Sequence, residues 1–363
     1  MRVAVVGAGI LGASISYALS RHDARVRLFD KARPASGTTS ASFAWVNANN
    51  KTPREYFALN RAGMEEHSRL RAGLPGGAPW LYRGGNLIRV ENEDLDELDR
   101  RVERLRSWGY AAEWWNASRV RKELEPRVAF PTPNAPVAFF PEESWVDAPV
   151  LTNTLVDLAR RNGAEVYPGT AVESIETAGG RVEEVGLSDG NRIPVDAVVN
   201  AAGPGADRVA AGIGRELPLA PKRGLLARVA VEKAPVNRLV HTPHANLRPD
   251  GPGHLLLHHD STDEKLANGE PEEVLGRELL QRARRVVPAL GVAEVEEVRA
   301  GTRPMPEDGY PCVGGVAELP GYYEAVTHSG VTLGPLVGRL LAQEIMGGEP
   351  DPLLAPFRPG RLG

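Results

Sequence analysis

Residues 3 to 33, VAVVGAGILGASISYALSRHDARVRLFDKAR, restrict the fold more than any other stretch. A buried-strand run empties into Gly7, Gly9 and Gly12, and a second alternating run, Val26 and Leu28, ends on Asp30. The spacing is that of a dinucleotide-binding βαβ unit. Gly7 suits the tight turn, Gly9 lets backbone approach a pyrophosphate, and Gly12 lets the helix pack closely on its strand. The helix start at Ile10 and Leu11 offers unpaired N–H groups to phosphate. Asp30, eighteen positions after Gly12, is placed to accept hydrogen bonds from an adenosine ribose, with Lys31 beside it.

A chain of 363 residues can bury a large core and fits two domains, which the alternation of motifs allows to be interleaved. A formal net charge of −4 and a sequence pI of about 6.1 lack the basic footprint of a nucleic-acid binder, so a small-molecule partner is expected. No apolar run reaches the ~18 residues needed to span a bilayer. With a strand beginning at Arg2 and no apparent signal peptide, a cytoplasmic protein is expected. A single cysteine, Cys312, excludes internal disulfides and a multi-cysteine metal site.

Further along, Thr52-Pro-Arg-Glu reads as a capping box opening a helix to about Arg71. Glycine patches at 73–77 and 84–85 flank the strand-like WLYR, and LIRV follows from Leu87. Leu95, Leu98, Val102 and Leu105 keep helical spacing to a stop at Gly109. VAFF at 137–140 reads as a strand, Asp147 and Pro149 open a helix through Arg161, and AEVYPG returns as a strand. DAVVNAAGPGAD, residues 196–207, is another buried strand ending in a small-residue turn. LARVAV, RLVHT and HLLLHH signal a sheet, and a helix over about 271–287 carries Val274, Leu275, Leu279 and Val286 as its apolar positions. After the strand YYEAVTH and the turn at Ser329 and Gly330, a helix is expected from about Pro335 to Met346.

Three distant segments converge: GAGILG with Asp30, VVNAAGPGAD, and AGTRPMPEDGYPCVGG followed by THSGVTLGPLVGRLLAQEI. Together they resemble the D-amino-acid oxidase and glycine/sarcosine oxidase family of FAD enzymes, in the family's order and over nearly the whole chain. The resemblance implies an α/β architecture: a discontinuous Rossmann-like FAD-binding domain and a second α+β substrate domain with a mostly antiparallel sheet over the flavin. On this sequence the FAD domain is expected at 1–50, 145–220 and 300–363, and the substrate domain at 51–144 and 221–299. It further implies non-covalent FAD held by Gly7, Gly9, Ile10, Leu11, Gly12, Asp30 and Lys31, with Thr38, Thr39 and Ser40 along the path to the flavin. Val172 would meet the adenine side, Ala201, Ala202 and Gly203 would approach the dinucleotide, and Gly330, Val331, Thr332 and Leu333 would set N–H groups beside the flavin pyrimidine edge. Such donors stabilise negative charge on reduced flavin.

Flavin carries the redox step, so few acid–base residues are expected. Arg303, in Gly-Thr-Arg-Pro, matches the family's arginine for a substrate carboxylate, a planar contact that a guanidinium suits better than lysine does. The alternative is a structural ion pair. His258 and His259 end a strand that in the family faces the flavin, and alternation turns only one of them inward. His328 precedes the glycine turn and is a site candidate. Trp45 and Asn47 are candidates for the pocket wall, Trp45 alternatively for core packing. Five of the eight histidines fall at 241–259, yet their spacing fits no metal motif, and no metal is expected. Cys312 is read as a strand-core residue, not a flavin-linking one.

The resulting expectation is an FAD-dependent oxidoreductase that takes hydride from the carbon of a C–N bond in an amino acid or N-alkyl or cyclic amino acid, giving an imine. The absence of lysine from 254–259, where the sarcosine-oxidase branch uses one for oxygen, tilts the expectation toward a dehydrogenase with an acceptor still to be identified. Three alternatives remain: an NAD-dependent dehydrogenase on the same βαβ unit, a flavin-binding subunit that needs a partner, and a tailoring enzyme for an unusual amine.

Overall fold

The computed structural model describes residues 1–74, 76 and 79–362, so the glycine turn expected at 73–77 lies partly outside the described residues. Its first sheet has six strands in the order Cys312–Gly315, Tyr322–Val326, Ala197–Asn200, Arg2–Val6, Arg25–Asp30, Glu165–Pro168. All neighbours are parallel except the first pair. The Arg2–Val6 and Ala197–Asn200 strands sit centrally and are buried on both faces, as their continuous apolar sequences require. The helices Ile10–Leu19, Ala148–Arg161 and Gly330–Ile345 cover one face, where Ile15, Leu151, Leu336 and Leu340 share a core with Val3 and Val5. A three-stranded sheet, Val172–Ala178, Arg181–Leu187 and Arg192–Pro194, covers the other through Ile175 and Val185.

The second large sheet has eight strands: Val295–Arg303, Lys222–Ala230, His254–His258, Asn246–Pro249, Leu239–His241, Asn86–Ile88, Pro136–Phe140, Glu113–Asn116. It is antiparallel apart from the pairing of Leu239–His241 with Asn86–Ile88. The Val295–Arg303 strand runs across position 300, so the sheet continues a few residues past the boundary drawn there from sequence. A third small sheet pairs Trp45–Val46 and Leu81–Arg83 with Ser144–Val146.

Three local readings are corrected. The second helix begins at Arg54 with Pro53 in the cap position and no side-chain cap, so Thr52 does not close a capping box. Val274 is 45% exposed, while Leu275, Leu279 and Val286 are buried, because the apolar stripe runs one position away from it. The last long helix starts at Gly330, not Pro335, and carries Pro335 inside. A proline there leaves the carbonyl four residues earlier without its helical donor. That carbonyl belongs to Val331, and the buried His67 ring contacts it through Nε2 at 2.8 Å. Burial holds the His67 pKa near 4, so the ring is neutral, and Nε2–H is the donor.

Candidate active site

The glycine unit folds as a cradle. Gly7 has φ +101°, and a Cβ on it would stand 2.4 Å from the Ala201 carbonyl oxygen. At Gly12 a Cβ would stand 1.8 Å from the Gly7 carbonyl oxygen, so helix and turn meet only with glycine there. Asp30 accepts the Ala8 N–H at 2.7 Å and the Ala32 N–H at 2.8 Å, which fixes its carboxylate at the mouth of the turn. The Ile10 N–H donates to Thr39 Oγ1 at 3.1 Å. Thr39 therefore takes the donor that the sequence reading reserved for phosphate at Ile10, leaving the Leu11 and Gly12 N–H groups at the helix start. A cavity of about 310 Å³ opens beside the cradle, lined by Gly7, Asp30, Lys31, Val172, Ala202 and Arg208 among others. Gly203, at φ +59°, faces open space next to it. These residues fit the adenosine and pyrophosphate of a dinucleotide.

Two other segments run toward the eight-stranded sheet. Thr38 Oγ1 donates to the Thr302 carbonyl at 2.6 Å, joining the residue beside Arg303 to the cofactor segment. The Ser40 hydroxyl instead donates to the Gly37 carbonyl at 2.9 Å, within its own turn. At the start of the long C-terminal helix, Gly330, Val331 and Thr332 lead, whereas the Leu333 N–H donates to the Ser329 carbonyl at 3.0 Å and is not available to a ligand. Thr332 Oγ1 donates to the Trp45 carbonyl at 3.2 Å.

At the eight-stranded sheet, Arg303 Nη2 donates to Asp263 Oδ2 at 2.6 Å and stands 3.1 Å from His258 Nε2. Its Nε and Nη1 have no partner among the described residues. Burial opposes the Asp263 charge, but His258, Arg303 and the Leu225 N–H overcome it and keep the carboxyl below its usual range. His258 is thus the inward member of the pair. His259 turns away and caps the Asp260–Ala267 helix, its Nδ1 accepting the Ser261 N–H at 3.2 Å. His258, Asp260 and Asp263 bring ligand atoms within 4.8 Å of one another. The Arg303 guanidinium already stands against two of the three, and it would repel a divalent cation placed there.

Rings form a row beside Arg303. His258, Phe43, His241 and Trp45 follow one another with centroid separations of 5.7, 5.8 and 4.4 Å. Behind Trp45 lies Glu143, a buried carboxylate that the sequence reading missed. It accepts from Trp45 Nε1 at 2.7 Å, Asn86 Nδ2 at 2.9 Å, Asn49 Nδ2 at 3.0 Å and the Tyr110 hydroxyl at 2.9 Å. Burial raises its pKa to about 7 despite those four donors. Asn86 Oδ1 contacts His241 Nδ1 at 2.7 Å, and burial, aided by the charges of His258 and Arg101, holds His241 near 3. Trp45 is thus hydrogen-bonded to Glu143 and packed against His241. Asn47 donates to the Trp45 carbonyl at 3.2 Å, its buried Oδ1 having no partner among the described residues.

Lys51 was also missed. Its ammonium donates to Ser329 Oγ at 3.1 Å, lies 5.3 Å from the Tyr56 ring centroid, and is lowered by burial to about 8. The neighbouring His328 is exposed at its surface, and desolvation by the surrounding protein, aided by the charges of Lys51, Arg303 and Lys222, lowers its pKa. No motif marks Glu143 or Lys51. The one available signal was an isolated lysine ending the run that carries Trp45, Asn47 and Asn49.

A glycine cradle of the kind that holds a dinucleotide, with an arginine and few acids at the edge of the neighbouring sheet, fits an oxidoreductase that leaves its redox chemistry to a bound cofactor. Residues 2–344 match the family of FAD dependent oxidoreductases known as DAO, and the chain belongs to that family. Glycine oxidase of Geobacillus kaustophilus is 31% identical, with 98% of this chain and 95% of the relative covered. The crystal structure of glycine oxidase from Geobacillus kaustophilus superposes with a TM-score of 0.87 at 27% identity, covering 98% of both chains. That of iminodiacetate oxidase from Chelativorans sp. BNC1 gives 0.84 at 25% identity over 99% of both. Family membership makes FAD the cofactor, and the cradle fits it. Among the described residues no helix is long and apolar enough to cross a membrane.

Proposed function

We propose that this chain oxidises the C–N bond of an amino acid or N-alkyl amino acid, with Arg303 holding the substrate carboxylate. The observation that carries this reading is the Arg303 guanidinium. Asp263 and His258 hold it through Nη2 alone, next to Thr302 and hence to the cofactor segment, with two further donor groups left for an anion. FAD, when bound, supplies the hydride acceptor. The chain's residues bind and orient: Gly7, Gly9 and Gly12 admit the pyrophosphate, Asp30 and Val172 take the adenosine side, and Gly330, Val331 and Thr332 stand at the flavin end. His258, Phe43, His241 and Trp45 wall the pocket and exclude water, which strengthens the Arg303 contact. The two buried acids nearest Arg303 and Trp45 are both engaged, Asp263 by Arg303 and Glu143 by its four donors. The pocket therefore selects the free amine, without a strong base.

The division of the chain follows the sheets: we assign the six-stranded sheet to cofactor binding and the eight-stranded sheet to substrate. Similarity to glycine oxidase favours oxygen as electron acceptor, whereas the lack of lysine at 254–259 favours an organic one. Anaerobic stopped-flow with glycine, sarcosine and D- and L-amino acids tests the reading. Bleaching of the flavin by at least one of them is expected, and no bleaching by any would overturn it. The rate of reoxidation in air-saturated buffer then separates oxidase from dehydrogenase.

A further inference from the structure

Arg208 lies on the short helix Ala206–Ala211, just after the turn that leaves the central strand Ala197–Asn200. Its side chain leans back along the helix, as helical side chains do, and a Cβ on Gly205 would stand 3.4 Å from its Nη2. Glycine at 205 therefore lets the guanidinium rest against bare backbone. Among the described residues that side chain makes no hydrogen bond or ion pair, and only the backbone N–H and carbonyl of Arg208 are engaged. Arg208 also lines the cavity of about 310 Å³ beside the glycine cradle.

The chemistry of that cavity indicates what it takes. Phe29, Val172, Ile175 and Val209 give it apolar surface, and its charged residues balance, Asp30 and Glu173 against Lys31 and Arg208. Such a lining does not select an anion, and the pyrophosphate is left to the Leu11 and Gly12 N–H groups at the helix start. The volume stands at the low end of small-molecule sites, ~300–1,000 Å³, so the cavity accepts one end of FAD and not the whole. A flat, uncharged ring suits apolar walls, and a guanidinium plane stacks on the face of such a ring.

We infer that Arg208 retains the cofactor by stacking its guanidinium on the adenine of FAD, with the Gly205 turn behind it. The inference rests on the placement of adenosine at Asp30 and Val172 and adds the residue that closes over the base. It assigns Arg208 a plane, not a charge, as the feature that matters.

The test uses the full-length FAD-loaded protein and reads cofactor release from the rise in flavin fluorescence on dilution. Arg208 is exposed on its helix, so its replacement leaves the core intact, which thermal unfolding checks. Arg208→Ala is expected to raise the FAD dissociation constant about tenfold or more. Arg208→Trp restores a stacking plane without charge and should recover most of that loss, whereas Arg208→Lys keeps the charge without the plane and should recover little. The loss in Arg208→Ala should be the same at about 50 and 500 mM salt, because stacking is not screened. FAD retention in Arg208→Ala equal to wild type overturns the proposal. Recovery by lysine and not by tryptophan also overturns it, and shows a phosphate contact instead. Asp30→Ala separates the inference from the placement beneath it. Weakened FAD in Asp30→Ala with normal retention in Arg208→Ala removes the role of Arg208 alone, and normal retention in both removes the adenosine placement as well.

Discussion

The indole N–H of Trp45 donates to Glu143 at 2.7 Å, and that bond ties the loop leaving the cofactor segment to the residues beneath the substrate sheet. Glu143 gathers four donors from three separate parts of the chain, the 45–49 segment, Asn86 and Tyr110, with no cation among them. Replacement by glutamine turns an amide N–H₂ toward two of those donors, and on the order of 2 kcal/mol of stability should be lost. The pH dependence has a definite sign. Burial raises the Glu143 pKa from 4.5 to about 7, so its contribution is full below pH 4.5 and is lost as pH rises through 7. The gap between wild type and Glu143→Gln should therefore narrow from pH 5 to pH 8, as read by urea unfolding at both values. A gap that widens would show that the acid is stabilised as the anion.

His67 supplies the donor that Pro335 denies to Val331. His67→Ala should leave that carbonyl unpaired and cost about 1–3 kcal/mol. The folded-state pKa, near 4 instead of 6.5, means that the His67 contribution is present above pH 6.5 and drains as pH falls toward 4, by ~1.4 kcal/mol per unit at most. Thermal unfolding of the variant should show a shallower loss over that window than wild type.

Arg303→Lys keeps the charge but loses the fork. Substrate KM should rise about tenfold or more, equivalent to ~1.4 kcal/mol of binding, while the rate of flavin reduction at saturation changes far less. Steady-state and stopped-flow measurements on one preparation separate the two effects. A fall in the saturated rate alone would assign Arg303 a role other than carboxylate binding.

Lys51, buried against Ser329 and Tyr56, loses its charge as pH rises through about 8. Binding of a carboxylate inhibitor to the FAD-loaded protein should weaken across that range. In Lys51→Met it should be weaker at pH 7 and lack the step near 8. A step of the same size in the variant would place its origin elsewhere.

Gly12→Ala forces a methyl group to within 1.8 Å of the Gly7 carbonyl oxygen. The turn must open, and the purified variant should carry far less FAD per chain than wild type, measured from the ratio of flavin to protein absorbance. Full flavin occupancy would show that the turn yields without cost.

Much of the cofactor side was legible because its determinants are local. Gly7, Gly9, Gly12 and Asp30 each answer a backbone or hydrogen-bond requirement within one βαβ unit, and the small-residue turn at 201–203 announces itself in the same way. Even here the sequence overassigned the donors. Thr39, twenty-nine positions away from Ile10, takes that N–H, and Leu333 spends its own inside the helix. The Gly330 helix start was missed because proline reads locally as a boundary, and only His67, brought across from another helix, satisfies the carbonyl that proline leaves open.

The substrate side was less legible for a physical reason. Alternation along a strand states that His258 and His259 face opposite ways, but not which one faces inward; Asp263 and Arg303 decide that for His258, and the helix start at Asp260 claims His259. Glu143 and Lys51 belong to no motif, since what distinguishes each is burial and the partners brought from remote segments. The sequence alone determined that the first strand, turn and helix would form a glycine cradle, because sterics at Gly7 and Gly12 act over a few residues. Only the tertiary structure decided which side chains meet Arg303 and which acid lies buried behind Trp45, because desolvation and ion pairing depend on neighbours that the chain brings together from distant segments.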